Sequence, residues 1–218
     1  MDALTMPFQT SERAVVHVVD DDALMRGALE GLFDSVGLDT RTYAAARDFL
    51  VTGLADKPGC VVIDIRLPDM NGLEFQAQLI QMGVQLPVVM MTGYGDIPMS
   101  VRAMKAGAID FLSKPFRDQD LLDAVTSALE QDRVRRRDLH EVVRIQGLYC
   151  GLTPRERQVM DYVVAGLMNK QIAGEIGLSE VTVKIHRSNL MRKLGVRTVA
   201  QLVHVSETLR THPIREPI

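Results

Sequence analysis

Short apolar runs rich in β-branched residues recur along the first half of the chain, and they constrain its fold more than any other feature. The strongest runs are Val15–Val19, 60–63 and 86–91, which have the composition of strands buried on both faces of a sheet. Weaker strands are predicted at Asp39–Tyr43 and 109–112. Helical spacing of apolar residues separates the runs, at 24–36, 44–54 and 97–106 and again from Asp118. This alternation predicts an α/β fold with a parallel, doubly wound five-stranded sheet.

Polar side chains follow these strands at the points where they end. They are Asp20 and Asp21 after the first strand, Asp64 after the third, Thr92 after the fourth and Lys114 after the fifth. The carboxyl ends of parallel strands meet at one edge of the sheet, where ligands bind. Oxygen ligands without Cys or His suit Mg²⁺, and a carboxylate beside Mg²⁺ can attack phosphorus. We therefore expect a magnesium-dependent phosphoryl site at this edge.

The motifs VVDDD, VVIDIRLPDMNG, MTGYGDIPMSVRAMKAGAIDF and LSKPF together resemble the receiver domain of bacterial two-component response regulators. That resemblance implies a flavodoxin-like sheet in which Asp64 accepts phosphate from a sensor histidine kinase. The Mg²⁺ ligands that it implies are Asp20, Asp21, Asp64 and the backbone carbonyl of Arg66. Asp20 is expected to act largely through water, and Asp22 to be a solvated loop residue or a helix cap.

Three further residues take roles from the same resemblance. Thr92 is expected to bond one phosphoryl oxygen and Lys114 another. Phe111 matches the aromatic residue that rotates on phosphorylation, although plain core packing stays an open interpretation. The Lys114–Pro115 bond matches one that is often cis in receivers.

The second half of the chain differs from the first in charge. Residues 1–131 carry ten Lys and Arg against 19 Asp and Glu, whereas residues 132–218 carry 15 against nine. A basic half favours a polyanionic partner. Capping residues and glycine stops predict four short helices in this half, at 153–165, Asn169–Ile176, Glu180–Leu194 and 198–209. Short helices with tight turns are typical of a helix-turn-helix, whose third helix here has a basic face.

The string LTPRERQVMDYVVAGLMNKQIAGEIGLSEVTVKIHRSNLMRKLGVRT resembles the LuxR-type helix-turn-helix. In this family the residues that match Lys184, Ile185 and Ser188 face bases. Those implied to lie at or near the DNA backbone are Asn169, Lys170, Thr182, His186 and Arg187. The predicted domains are a receiver at 13–131, a helical linker at 132–147 and an all-α, four-helix DNA-binding domain at 148–212. The linker begins with a stretch, 132–137, that is too polar for a core helix.

Both domains in this order resemble response regulators of the FixJ, NodW and StyR type. The resemblance implies a phosphorylation-controlled transcription regulator rather than an enzyme, and an activator is expected. Its implied partners are a sensor histidine kinase, a double-stranded DNA operator, a second phosphorylated copy and RNA polymerase. Two cysteines without metal or disulfide spacing, no signal-like N-terminus and no apolar run of about 18 residues predict a cytoplasmic protein without a membrane span.

Two other classes of function compete with this one. An aspartate-based phosphatase also uses aspartate, Mg²⁺ and lysine on an α/β sheet, but it requires a DxDx motif that Asp20-Asp21-Asp22 lack. A phosphorelay or docking protein would bind protein through its second domain. The basic third helix disfavours that class, and a DNA shift assay separates the two.

Overall fold

A computed structural model describes residues 13–52, 57–93 and 97–214 of the chain. The chain divides after Arg136 into two compact units. Within the described residues, none of the helices combines the length and the apolar character that a membrane span requires.

The first unit is built on one sheet of five parallel strands. The strands are β1 (Val15–Val19), β2 (Asp39–Tyr43), β3 (Gly59–Asp64), β4 (Val88–Thr92) and β5 (Asp110–Ser113). Their order across the sheet is β2-β1-β3-β4-β5, and every neighbouring pair is parallel. The helices that begin before the division of the chain are α1 (Ala23–Ser35), α2 (Ala46–Thr52), α3 (Gly72–Gln81), α4 (Ile97–Lys105) and α5 (Asp118–Cys150). The predicted doubly wound α/β fold is confirmed.

All residues of β1, β3 and β4 are buried because helices cover both faces of the sheet. Alternate side chains of each strand enter opposite layers of the core. Val61 and Ile63 pack in the layer that holds Phe49 and Phe75, whereas Val62 packs in the layer that holds Phe33. The apolar composition of these strands therefore follows from two hydrophobic layers rather than one.

Helix α3 was not identified from the sequence, although a local signal for it exists. Asn71 and Glu74 form a capping box, in which Asn71 N–H donates to Glu74 Oε2 at 3.3 Å. Gly72 allows the chain to turn tightly after β3, since a Cβ there would lie 2.9 Å from the Cα of Ile65. The turn brings the start of α3 directly beside the end of β3.

The second unit contains the four predicted short helices, α6 (Pro154–Val164), α7 (Asn169–Ile176), α8 (Glu180–Leu194) and α9 (Val199–Thr211). Thr153, Ser179 and Thr198 cap the starts of α6, α8 and α9, as their sequence patterns predicted. Gly177 and Gly195 end α7 and α8 with left-handed φ angles of 67° and 68°. This helical unit confirms the second part of the predicted fold.

Helix α5 corrects the interpretation of the polar stretch 132–137. That stretch was expected to lie outside the receiver because of its charge. Asp132 is instead only 1% exposed and accepts a hydrogen bond from the backbone of Gly59, within the first unit. A charged residue is tolerated there because hydrogen bonds compensate its lost hydration.

Candidate functional site

Asp20, Asp64 and Thr92 lie at the carboxyl ends of β1, β3 and β4, as the parallel arrangement requires. In the β3–β4 register Asp64 lies opposite Met91, and Met91 is the residue that precedes Thr92. Asp20 and Thr92 are fully buried, and Asp64 is 8% exposed. Of these three residues, only Asp64 presents part of its surface to the solvent.

The ammonium of Lys114 joins two of these carboxylates. Its Nζ lies 2.6 Å from Asp20 Oδ2 and 2.5 Å from Asp64 Oδ2. Burial by itself lowers the pKa of Lys114, but hydrogen bonds to both carboxylates and their negative charges outweigh it, so the pKa lies above its ordinary value. The Lys114 backbone N–H donates to Thr92 O at 2.7 Å, which anchors β5 beside β4. The Lys114–Pro115 peptide bond is cis.

The remaining oxygens of the two carboxylates accept backbone hydrogen bonds. Asp22 N–H donates to Asp20 Oδ1 at 2.9 Å, and Arg66 N–H donates to Asp64 Oδ1 at 2.8 Å. Lys114 therefore holds one oxygen of each carboxylate, and a backbone N–H two residues further along the chain holds the other oxygen. This arrangement limits the rotation of both groups.

The other predicted receiver residues surround this pair. Asp21 is exposed in the same loop as Asp20. Asp22 caps α1 by accepting from Leu24 N–H at 2.8 Å, in agreement with one of its two predicted roles. Arg66 forms an isolated bridge with Asn71. Phe111 is partly buried against the core cluster that includes Met90 and Ala103.

The chemistry of the donors fits a hard cation. Among the residues that the structure describes, no group of three Asp, Glu, His or Cys side chains is already arranged around a metal-sized space. Asp20 and Asp64 nevertheless offer carboxylate oxygens at one edge, with the exposed carboxylate of Asp21 in the adjoining loop. Oxygen is the ligand type that Mg²⁺ prefers, and each carboxylate accepts more bonds than Lys114 and the backbone use.

Asp69 is a residue of this region that the sequence reasoning missed. Its carboxylate accepts hydrogen bonds from Arg47 N–H at 3.0 Å and from Ala46 N–H at 3.4 Å. These are free donors at the start of α2, so Asp69 caps a helix that precedes it by more than 20 residues. Local sequence patterns cannot reveal this cap, because the capping residue lies 22 positions after Arg47.

The second unit exposes the residues that were predicted to read DNA. Lys184, Ile185 and Ser188 are exposed on α8, and Lys170 is exposed on α7. Ile185 is 54% exposed, so its apolar side chain is available to a partner. An exposed basic and apolar helix surface suits the major groove.

Four of the five residues predicted to lie at or near the DNA backbone, Asn169, Thr182, His186 and Arg187, are half-buried, unlike Lys170. Arg187 donates to Asn169 Oδ1 at 3.0 Å, which links α8 to the start of α7. The hydroxyls of Thr182 and Ser179 lie 2.8 Å apart at the cap of α8. The structure thus brings Asn169 and Arg187 together as a pair.

Comparison with known families decides what this combination is. Residues 16–126 match the family described as "Response regulator receiver domain", which is more than half of the chain. Residues 151–206 match "Bacterial regulatory proteins, luxR family".

The chain belongs to the two-component response regulators.

This response regulator is similar over most of its length to curated proteins. Nodulation protein W of Bradyrhizobium diazoefficiens is 50% identical over 92% of this chain and 88% of its own. Response regulator protein TodT of Pseudomonas putida is 42% identical with the same coverage. The solved structure titled "Low Resolution Structure of Response Regulator StyR" is 48% identical, covers 89% of this chain and 98% of its own, and gives a TM-score of 0.81.

The two domains together establish the class of function. This response regulator carries a receiver and a LuxR-type DNA-binding domain, and its family comprises transcription regulators rather than classical enzymes. A receiver implies a cognate histidine kinase, and the second domain implies DNA as a partner.

Proposed function

We propose that Mg²⁺-dependent phosphorylation of Asp64 by a sensor histidine kinase switches this response regulator into a DNA-binding dimer. The observation that carries the proposal is the contact of Lys114 with both Asp20 and Asp64. A cation between two carboxylates at the end of a sheet is suited to a site that gains negative charge on phosphorylation. The partial exposure of Asp64 gives a phosphodonor access to it.

The reaction forms a bond between a carboxylate oxygen of Asp64 and phosphorus, and it breaks the bond from phosphorus to the kinase histidine. The histidine nitrogen leaves and the product is an acyl phosphate. Asp21, Asp64 and the backbone carbonyl of Arg66 would hold Mg²⁺ directly, and Asp20 largely through water. Bound Mg²⁺ supplies positive charge to the phosphoryl oxygens.

Lys114 and Thr92 act on the phosphoryl group once it is attached. The ammonium of Lys114 neutralises one oxygen, and the hydroxyl of Thr92 donates a hydrogen bond to another. Phe111 then turns inward as Thr92 moves toward the phosphoryl group. Its partial burial against the core supports this role, because an inward turn would bury the part of the ring that is still exposed.

The change on the receiver promotes dimerisation through the face formed by α4 and β5. Two LuxR-type domains then bind one operator as a pair. Lys184, Ile185 and Ser188 face bases, whereas the residues at or near the DNA backbone are Asn169, Lys170, Thr182, His186 and Arg187. The expected outcome is activation of transcription through RNA polymerase in the cytoplasm. The functional boundaries that go with this proposal are 13–131 for the receiver and 148–212 for the DNA-binding domain, joined by the helical linker 132–147, whose first residues pack within the first unit.

Phosphorylation from acetyl phosphate tests the proposal. Wild type incubated with labelled acetyl phosphate and Mg²⁺ should gain acid-labile label, and Asp64→Asn should gain none because the amide is not a nucleophile. Asp22→Asn is the matched control, since Asn also caps helices and Asp22 has no part in the reaction. Acid-labile label on Asp64→Asn equal to that on Asp22→Asn would show that another residue accepts the phosphate.

A further inference from the structure

We propose that Arg26 is a positioning residue that sets the Mg²⁺ affinity of the receiver by holding the loop of Asp20 and Asp21. One guanidinium nitrogen of Arg26, Nη1, donates to the backbone carbonyl of Asp20 at 2.7 Å and to that of Asp21 at 3.0 Å. Arg26 itself contacts neither carboxylate of the pair in any hydrogen bond or ion pair that the described residues show. The inference rests on the proposed function, because it assumes that this loop binds Mg²⁺.

The position of Arg26 in α1 is unfavourable for a cation. Arg26 lies four residues after the cap Asp22, at the positive end of the helix dipole, and the first turn of α1 contains no acidic residue. A positive side chain there opposes the dipole. The hydrogen bonds to two consecutive carbonyls give a physical reason for an arginine at this place, since a guanidinium has a rigid set of donors that an ammonium lacks.

Arg26 also completes the set of contacts that hold Asp20. The Asp20 backbone N–H donates to Tyr43 O at 3.2 Å, and its two carboxylate oxygens accept from Asp22 and Lys114. With Arg26 on its carbonyl, every polar atom of this fully buried residue has a partner. Asp20 thus cannot shift without breaking several bonds.

The same contact acts on Asp21 through its backbone. The carboxylate of Asp21 is exposed, so no enclosing side chains fix its direction. Holding the Asp21 carbonyl fixes the peptide from which this carboxylate extends. Contacts of this kind, one step removed from the metal, orient ligands and typically change metal affinity by about 10- to 100-fold when they are removed.

A pure charge effect of Arg26 and a positioning effect of Arg26 predict opposite changes in Mg²⁺ affinity when the residue is replaced. This difference makes the inference testable. A cation that acts only through its charge repels Mg²⁺, so its removal should tighten Mg²⁺ binding. A residue that positions the ligand loop should weaken binding when it is removed. Arg26→Met removes the charge and the donors while keeping much of the apolar stem, and Arg26→Lys keeps the charge but not the rigid set of donors. Arg47→Met, on the exposed side of α2, is the matched control for loss of one arginine.

Calorimetric titration of the full chain with MgCl₂ at constant ionic strength measures the affinity directly. We expect Arg26→Met to bind Mg²⁺ about 10- to 100-fold more weakly than wild type, Arg26→Lys to fall between them, and Arg47→Met to equal wild type. Circular dichroism and thermal melting confirm folding, and if Arg26→Met does not fold, Arg26→Lys carries the test. Unchanged or tighter binding by a folded Arg26 variant overturns the inference.

A second readout separates positioning from general damage. The labelling rate with acetyl phosphate, measured over a series of Mg²⁺ concentrations, should reach the wild-type plateau, with its half-saturation shifted by the same factor as the affinity. A lowered plateau with unshifted half-saturation overturns the inference. If wild type itself neither binds Mg²⁺ nor gains label, the proposed function fails, and that result is distinct from a difference between wild type and the Arg26 variants.

Discussion

The carboxylate of Asp132 accepts a hydrogen bond from the backbone N–H of Gly59 at 3.0 Å, although 73 residues separate them in the chain. Arg136 Nε donates to the same oxygen at 2.8 Å, and Arg135 donates to the other. Arg136 also donates to Lys57 O at 2.7 Å. The late part of α5 in the first unit is therefore fastened to the beginning of β3, the strand that ends at Asp64.

Replacing Asp132 with Ala should destabilise the protein strongly. The change removes an acceptor that the N–H of Gly59 and two arginines share in a buried site, which costs about 3–5 kcal/mol. Asp138→Ala is the control, because Asp138 and its partner Arg137 are each 66% exposed and 3.6 Å apart. That pair contributes less than about 1 kcal/mol. Urea denaturation of both variants measures the difference, and equal small losses would contradict the prediction.

Burial of His17 predicts a loss of stability in mild acid. His17 is 4% exposed, and its Nδ1 lies 3.1 Å from the hydroxyl of Tyr43. Burial, together with the charge of Arg41, lowers the pKa of His17 from 6.5 to about 4. The unfolded chain therefore binds more protons than the folded one between these two values. Stability present above pH 6.5 should fall by roughly 3 kcal/mol as the pH falls to 4.

The pH dependence is measured by urea denaturation at a series of pH values from 7.5 to about 4, the range that linkage between protonation and folding makes informative. His17→Phe removes the titrating group and should flatten this part of the profile, even if its absolute stability is lower. His140→Gln, at an exposed position of α5, should keep the wild-type slope. A slope in His17→Phe as steep as in wild type would assign the effect to other groups.

Phosphorylation should convert the protein into a dimer, which doubles the mass of the particle in solution. Beryllofluoride with Mg²⁺ mimics an acyl phosphate on Asp64, and the added charge recruits Lys114 and Thr92. Light scattering at micromolar concentration should then report a dimer, whereas Asp64→Asn should stay unchanged under the same conditions. A wild-type mass that does not respond to the mimic would count against phosphorylation-driven dimerisation.

Replacing Lys184 and replacing Arg187 should weaken DNA binding by the protein in different ways. Lys184 is exposed on α8, and if it reaches a base edge, Lys184→Ala should cost about 1–3 kcal/mol on the operator and much less on random DNA. Arg187, whose guanidinium donates to Asn169, is proposed to contact a phosphate. Arg187→Ala should weaken binding to both duplexes and lower the salt slope by about 1. Titrations over a salt series measure both, and equal losses on both duplexes would exclude base reading by Lys184.

Much of the fold could be predicted because its signals lie between close neighbours in the chain. The caps at Thr153, Ser179 and Thr198 involve residues three positions apart, and their geometry follows from local backbone preferences. The strands could be recognised because β1, β3 and β4 are buried on both faces and so carry few polar residues. The common edge of Asp20, Asp64 and Lys114 followed from parallel topology alone.

The contacts of Asp69, Arg26 and Asp132 could not be predicted from local sequence patterns. The polarity of Asp132 predicted exposure, yet the residue is buried, because Gly59 and two arginines replace its water. Asp69 caps a helix 22 residues away, and Arg26 bonds carbonyls rather than a charged partner. Whether a polar group is buried depends on which donors and acceptors the folded chain brings to it, and distant segments become neighbours only when the sheet and its helices close around one another.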